Sequence, residues 1–449
     1  MNALKDIQHF YFIGIGGIGM SALAFYFHKS GKHVTGYDKT PSAVTNSLEN
    51  AGIAVHFDDK EDVVDATYGP ENTLVIYTPA VPKEFGELVR FRESGYTIKK
   101  RAEVLGMIAN AHYSLAVAGT HGKTTTSSIL GHLLAETGAP VTAFIGGITN
   151  NYNGNLIQKG NDVIVVEADE FDRSFLQLTP DIACITSMDA DHLDIYGDAA
   201  TLEDTFKEFG NLVSKEKLFV QNGLPVDGLT VGIEDDAMYS AQNVVVENGC
   251  YHFDFKHPDG VISQMQFNLP GRHNLSNAIT ALGMAMLYGS PTELLPKALW
   301  SFSGVNRRFT YRIKSEHKVL IDDYAHHPTE IAAVYQSVKE MYPEIPVLAV
   351  FQPHLFSRTQ DFMEDFAVQL SQFDEVFLLD IYPARELPIE GVTSKVLLEK
   401  IKLEKKRLVT KEHLLENIKK ASQKVIVMMG AGDIGVEILK VTEFFKNAY

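Results

Sequence analysis

Apolar residues along the chain gather into short unbroken runs separated by segments of helical period. From Phe10 to about Lys99, "YFIGI", "HVTGYD" and "TLVIYTPAV" alternate with segments such as "GMSALAFYFHKSG". That alternation predicts a small parallel sheet with helices on both faces. A second unit opens at "YSLAVAGTHGKTTTSSILGHLLAETG" as strand, glycine-rich turn and helix. It continues through "DVIVVEAD" and "DIACITS", runs apolar enough for central parallel strands. Between Gly228 and Leu269 the pattern shifts to short β runs ("LTVGI", "NVVVENG", "CYHFDF", "VISQMQFNL"), which predict antiparallel decoration. A third α/β unit starts near Gly304 and includes "KVLIDDY", "VLAVFQ", "EVFLLDIY" and "KVIVMMG". The charged run "KIKLEKKRLVTKEH" reads as a solvated helix end and loop.

Length agrees with this division, since 449 residues at about 150 per domain imply three domains. Their expected limits are 1–102, 103–304 and 305–449. A hydrophobic content of 45% with 22% charged residues is that of an ordinary globular protein. The formal net charge of −17 disfavours nonspecific binding to nucleic acid or to an anionic membrane, while leaving room for a local basic pocket. Two cysteines, Cys184 and Cys250, supply neither a disulfide framework nor a thiol metal cluster, and both read as small buried side chains. The N-terminal "MNALKDIQHF" has no basic segment leading into an apolar one, and no run approaches ~18 apolar residues. A soluble cytoplasmic protein is expected.

Three motifs carry the chemistry. "FIGIGGIGM" places G-x-G-x-x-G at Gly14, Gly16 and Gly19, with Gly17 and Ile18 between them, where a strand turns into a helix. Backbone N–H groups there can approach a pyrophosphate, and Asp38, after "HVTGY", is placed to take a ribose hydroxyl. The pattern recurs in "GAGDIG", Gly430 to Gly435, so at least one copy is not a dinucleotide site. "GTHGKTTTS" is the strongest local signal: Gly119, Thr120 and Gly122 offer N–H groups to phosphate, Lys123 a point charge, Thr124 a hydroxyl for Mg²⁺, and Thr125 follows. Val117 stands where the common phosphate loop has its first glycine, so the loop is shorter. In "DVIVVEADEFDRSF", Glu167 ends an apolar strand and is the expected metal carboxylate, whereas Asp169, Glu170 and Asp172 read as capping or solvated acids. His192, in "DADHLDIYG", lies past the next strand and is open to a structural or a metal-binding role. Further polar clusters are "GRHNLSNA" with Asn274, "GVNRRF" with Arg307 and Arg308, "IDDYAHHPTE" with Asp322, Tyr324, His326 and His327, and "FQPHLFSRT" with His354 and Arg358.

In this order, "GIGGIGM", "GTHGKTTTS", "VEADEFDRSF", "DADHLD", "GRHNLSNA", "GVNRRF", "DDYAHHPTE", "FQPHLFSRT" and "GAGDIG" resemble the Mur ligase family of cell-wall synthesis across the whole chain. The resemblance implies an α/β fold: a Rossmann-like N-terminal domain, a central P-loop ATPase-type domain and a Rossmann-like C-terminal domain. It also implies an ATP- and Mg²⁺-dependent ligase whose first domain binds UDP-N-acetylmuramate rather than NAD. "GIGGIGM" and "DDYAHHPTE" point to the branch that adds L-alanine. By resemblance, Lys123 and Thr124 hold phosphates and Mg²⁺, Glu167 bridges metals and His192 binds the second. Asn274 would contact adenine, Arg308 the γ-phosphate and Asp322 the ribose, with Tyr324, His326, His354 and Arg358 forming the amino-acid pocket. His326 and His354 are both candidates for the base, and domain closure is expected to exclude water. Three positions depart from the family or bear on it. Leu355 stands where arginine is usual, Ser187 where asparagine is, and Lys207 reads as a solvated helix residue rather than a carbamylated metal support. The alternatives are a recycling ligase that attaches a preformed peptide, an NAD-dependent oxidoreductase and an ATP-binding switch.

Overall fold

Three sheets organise the chain. The computed structural model describes residues 2–59, 68–189, 196, 198–247, 249–384 and 386–448. The first sheet contains β1 (His9–Ile13), β2 (His33–Tyr37), β3 (Ala54–His56), β4 (Thr73–Tyr77) and β5 (Thr97–Lys100), in the order β3-β2-β1-β4-β5. All its neighbours are parallel. β1 is buried along its whole length, as expected of a strand covered by helices on both faces. The strand order reverses beside β1, which puts the glycine turn after it at a topological switch point.

The second sheet has ten strands: β6 (Tyr113–Ala118), β7 (Val141–Thr149), β8 (Gly154–Gln158), β9 (Val163–Glu167), β10 (Ile182–Ile185), β11 (Leu218–Gln221), β12 (Leu229–Ile233), β13 (Tyr239–Glu247), β14 (Cys250–His257) and β15 (Gly260–Phe267). Their order is β15-β14-β13-β12-β11-β10-β6-β9-β7-β8. β6 lies between β9 and β10, parallel to both, so the ends of all three strands converge on the glycine-rich turn. The antiparallel decoration starts later than the periodicity predicts. β12 runs parallel to β11, and β13 pairs parallel with β12. Within this region the two-residue links after β13 and β14 require hairpin reversals, and at the other edge of the sheet β8 pairs antiparallel with β7.

The third sheet is β16 (Thr310–Lys314), β17 (Val319–Asp323), β18 (Val347–Phe351), β19 (Glu375–Leu378), β20 (Lys406–Leu408) and β21 (Val425–Met429). Its order is β16-β17-β21-β18-β19-β20, parallel except for β16. β20 corrects the reading of "KIKLEKKRLVTKEH" as helix end and loop. The run carries a short edge strand whose exposed Arg407 pairs with Glu375, and its shortness and charge discourage pairing with another chain.

The chain forms two compact units. One holds residues 1–245, 252–267 and 276–303, and the other 246–251, 268–275 and 304–449. In the first unit the helix Ile18–Lys29 packs across β7 and β8. There the Asn155 amide, 2% exposed, donates to Ile18 O (2.6 Å) and Ser21 Oγ (2.8 Å). The first two sheets therefore share one body. In the second unit, Tyr251 and Arg272 bond Glu340, tying the short segments 246–251 and 268–275 to the helix Pro328–Met341. Cys184 is fully buried, and burial raises its thiol well above the ordinary value. Cys250 is only part-buried and directs its Sγ to Asn268 Oδ1 at 3.1 Å, so the expectation of burial holds for one of the two.

Candidate active site

In the first unit the chain leaves β6 at Ala118 and turns through Gly119 and Gly122 into the helix Lys123–Glu136. Gly119 has φ +131° and Gly122 φ +86°, values that side-chain-bearing residues rarely adopt. A Cβ on Gly122 would sit 2.7 Å from Asn277 Oδ1. Ser187 and Thr186, just past β10, brace the loop from outside. Ser187 Oγ accepts from His121 N (2.8 Å), Thr120 N donates to Ser187 O (3.2 Å), and the Thr186 hydroxyl bonds His121 O. The residue that departs from the family's usual asparagine is thus a structural partner of the loop.

Glu167, at the end of β9, faces the first turn of that helix. It accepts from Thr124 Oγ1 (3.1 Å), Ser127 Oγ (3.0 Å) and Gly146 N (2.5 Å). Burial raises its carboxyl above the ordinary value, against the pull of these donors and of Lys123. Lys123 Nζ lies 2.7 and 2.9 Å from the two oxygens of Glu170 and 2.7 Å from Gly119 O. Burial acts to lower the ammonium's pKa, but Glu170 and the neighbouring acids outweigh it and hold it above the ordinary lysine value. Glu170 corrects its sequence reading as a capping or solvated acid: it is 1% exposed and is the lysine's ion partner. Asp169 behaves as expected, capping Phe171 N at 3.1 Å. Thr125 is buried in the helix's first turn. His192 lies outside the described residues. Lys207 Nζ pairs with Glu203 (2.6 Å) and Asp204 (3.4 Å) on its own helix, a half-exposed surface arrangement.

The glycine turn after β1 belongs to the same unit. Gly14 has φ +87°, Gly16 N donates to Asp38 Oδ2 at 2.7 Å, and Gly17 precedes the helix Ile18–Lys29. Asp38 is thereby fixed at the end of β2, its other oxygen accepting from Thr40 N at 3.3 Å. Arg101, which the sequence reading passed over, comes within 2.7 Å of where a Cβ on Gly19 would lie and pairs with Asp169 at 3.5 Å. Ile18, Gly19, Arg101, Lys123, Gly146 and Glu167 line one cleft, so the two glycine loops open onto a common space. In the second glycine motif, Ile434 N is taken by Gln352 Oε1 (2.9 Å), and Gln352 Nε2 donates to Asp433 (2.8 Å). The chain itself fills that helix terminus.

In the second unit, β17 ends in two buried acids. Asp322 accepts from Arg307 Nε (3.2 Å) and from Arg312 Nε and Nη2 (3.1 and 2.7 Å), so both oxygens are engaged by arginine. Asp323 accepts from Phe309 N and Ala325 N, each at 2.7 Å, and burial pushes its carboxyl up to about 6. The Arg307 and Arg308 guanidinium groups each lie 5.2 Å from the Tyr324 ring centre. Arg307 adopts φ +61° and Leu355 φ +71°, strained backbone at both ends of the polar cluster. His326 Nδ1 lies 2.9 Å from Tyr324 O; a carbonyl only accepts, so Nδ1 carries the hydrogen and Nε2 keeps its lone pair. Burial lowers the His326 pKa, which keeps the ring neutral near pH 7. His354 lies 6.1 Å from His326, ring centre to ring centre, and stacks on Tyr382. Arg358 occupies the short helix Phe356–Asp361 that follows Leu355. Asn274 is 3% exposed and donates to Pro270 O at 2.7 Å.

Comparison with known proteins places these features in a family. Family models match residues 9–113 (Mur ligase family, catalytic domain), 117–285 (Mur ligase middle domain) and 307–436 (Mur ligase, glutamate ligase domain). The UDP-N-acetylmuramate–L-alanine ligase of Flavobacterium psychrophilum is 61% identical over 98% of each chain. That of Porphyromonas gingivalis is 46% identical over 98% of this chain and 100% of its own. Among solved structures, the UDP-N-acetylmuramate–alanine ligase of Thermotoga maritima aligns with a TM-score of 0.82 at 27% identity, covering 98% of this chain and 100% of the other.

Proposed function

The chain belongs to the Mur ligase family, and from that premise we propose that it joins L-alanine to UDP-N-acetylmuramate with hydrolysis of ATP, an early step of peptidoglycan precursor synthesis in the cytoplasm. The observation that carries the reading is the cleft in which a phosphate-type loop, with Lys123 and Thr124, and the glycine turn after β1 face each other across Arg101 and Glu167. A carboxylate is a poor acyl donor, so the substrate's lactyl carboxylate first attacks the γ-phosphate of ATP to give an acyl phosphate and ADP. Two anions meet in that step, and Lys123, Arg101 and Arg308 are the cations that offset their repulsion. The alanine amine then attacks the acyl carbon, and phosphate leaves.

Residue roles follow from placement. Gly119 to Thr125 cradle the ATP phosphates, and Gly14 to Gly19 take the substrate's diphosphate with Arg101 beside it. Asp38 steadies that turn through Gly16. Thr124 and Glu167 offer only oxygen donors, one a buried carboxylate, a set that suits Mg²⁺. When bound, that ion would neutralise developing phosphoryl charge, and His192 is proposed as a ligand of a second. In the second unit, Arg308 meets the γ-phosphate, Asn274 the adenine, and Tyr324, His354 and Arg358 the amino acid. Asp322 reaches the ribose only as the acceptor its two arginines hold in place. His326 Nε2 takes the proton of the attacking amine. The domain limits we adopt are 1–102, 103–304 and 305–449.

NAD chemistry would leave Lys123, Thr124 and Glu167 without a role. The peptide-recycling alternative has weaker support, since the murein peptide ligase structure of Psychrobacter arcticus matches at 20% identity, a likeness of fold. The deciding experiment is phosphate release from ATP and Mg²⁺ with UDP-N-acetylmuramate, comparing L-alanine, other amino acids and a cell-wall tripeptide. Release dependent on L-alanine supports the reading; release with the tripeptide alone overturns it.

A further inference from the structure

Glu330 sits in the first turn of the helix Pro328–Met341 and ties together groups the reaction uses separately. Its Oε2 accepts from His326 N (2.8 Å) and His327 N (3.2 Å) and lies 3.2 Å from His326 Nδ1, the nitrogen that carries the hydrogen. Its other oxygen, Oε1, lies 3.6 Å from Arg308 Nη1. One part-buried carboxylate thus stands between the amine-facing imidazole and the phosphate-facing guanidinium. Tyr324 O holds the Nδ1 hydrogen, and the negative charge of Glu330 beside that edge of the ring favours the protonated imidazole and so strengthens Nε2 as a base. A guanidinium on the same carboxylate draws charge from it and weakens that effect.

We propose that Glu330 is the positioning residue that arms His326 as the base, and that Arg308 restrains it until a phosphate draws the guanidinium away. The inference rests on the base role given to His326 above. Engagement of Arg308 by the γ-phosphate of the nucleotide removes its pull on Glu330, so His326 becomes the stronger base once the nucleotide is bound. The charged and titratable groups facing His326 fit this account. Glu330 raises its basicity, Arg358 and Arg308 lower it, and the Tyr324 and His354 rings, 5.3 and 6.1 Å away, complete the surroundings.

The test is E330Q, which keeps an acceptor for the backbone N–H groups and so keeps the helix cap. Histidine ring resonances of the full chain, assigned with H326N, are titrated with and without AMP-PNP and Mg²⁺. In the wild type the His326 midpoint rises on adding the nucleotide; in E330Q the free midpoint is lower and the rise is much smaller. In turnover, loss of the charge moves the acid limb of the kcat profile to lower pH while the plateau drops by about 10-fold, because a weaker base is neutral earlier yet accepts the proton less readily. A structural defect would lower the plateau and leave the limb in place. E330D is expected to restore the limb in part. Equal midpoints in wild type and E330Q, or equal rises with nucleotide, overturn the proposal. The titration needs no turnover, so its failure is distinguishable from failure of the ligase reading, which the phosphate-release assay tests.

Discussion

Asp323 offers a quantitative check on the electrostatics of the second unit. Its carboxyl is 6% exposed, accepts two backbone hydrogen bonds and has its pKa pushed by burial from 3.8 to about 6, with Arg308 pulling the other way. Two units correspond to roughly 3 kcal/mol. The folded state holds the proton more tightly than the unfolded state. Stability from this group is therefore fully present below about pH 4 and lost as pH rises through about 6. In D323N the amide has one carbonyl acceptor where the acid offers two oxygens, so one of Phe309 N and Ala325 N loses its partner at about 1–2 kcal/mol, independent of pH. The variant should then be less stable than the wild type near pH 4 and more stable by about 1 kcal/mol above pH 7. Hydrogen exchange by mass spectrometry on peptides spanning 305–330 of the full chain reads the local opening free energy. The quantity of interest is the difference between variant and wild type, in which other titrating groups cancel. A difference constant from pH 4 to 8, or one that grows in the wild type's favour with pH, would refute the burial argument.

Further expectations concern the first unit. E167Q should lower phosphate release by at least about 100-fold while leaving the thermal midpoint of the nucleotide-free protein nearly unchanged, because it removes a desolvated charge, keeps one acceptor oxygen for Ser127 Oγ and Gly146 N, and turns its NH2 to donate to the Thr124 hydroxyl; a matching loss of stability would point to a structural role. G122A forces a side chain into φ +86° and against Asn277, so about 1–2 kcal/mol of stability and most nucleotide affinity should be lost, read by thermal unfolding and calorimetry. R101A should raise the KM for UDP-N-acetylmuramate about tenfold and leave that for ATP nearly unchanged, since its guanidinium lies beside Gly19 in the turn proposed to take the sugar nucleotide. K207A should change turnover less than about twofold, because its ammonium is held by Glu203 and Asp204 on the surface.

Elements whose burial is set by unbroken apolar runs were legible from the sequence. β1, β6, β9, β17, β18 and β21 fall on the quoted runs because strands covered on both faces must be apolar through their centres, polar residues being confined to their ends. The turn glycines were legible too, since few other residues reach their φ values. Partner choice was not legible. Glu170 and Asp169 are adjacent acids of similar pattern, and only the folded chain decides that one meets Lys123 while the other caps a turn. Arg101 stands outside any motif because its task depends on the approach of a helix from elsewhere in the chain. Strand direction in the decorated region was legible only in part, since β12 and β13 join the sheet in parallel before the reversals begin: short β runs carry no record of whether the link between them reverses. The two glycine motifs differ by Gln352, whose side chain comes from 82 residues away to fill one of them.

Because the helix Ile18–Lys29 is bonded through Asn155 to the β7–β8 hairpin, the glycine turn after β1 and the phosphate-type loop after β6 belong to one body. Their separation works as a fixed gauge. A substrate anchored by its diphosphate at one loop presents a reactive group at the other only if the span between them has the right length, which the pyranose ring and lactyl arm of N-acetylmuramate would set. With the two loops assigned as proposed, selection for the sugar nucleotide would operate by length as well as by contact, and an analogue extended by a few bonds should bind yet remain unphosphorylated.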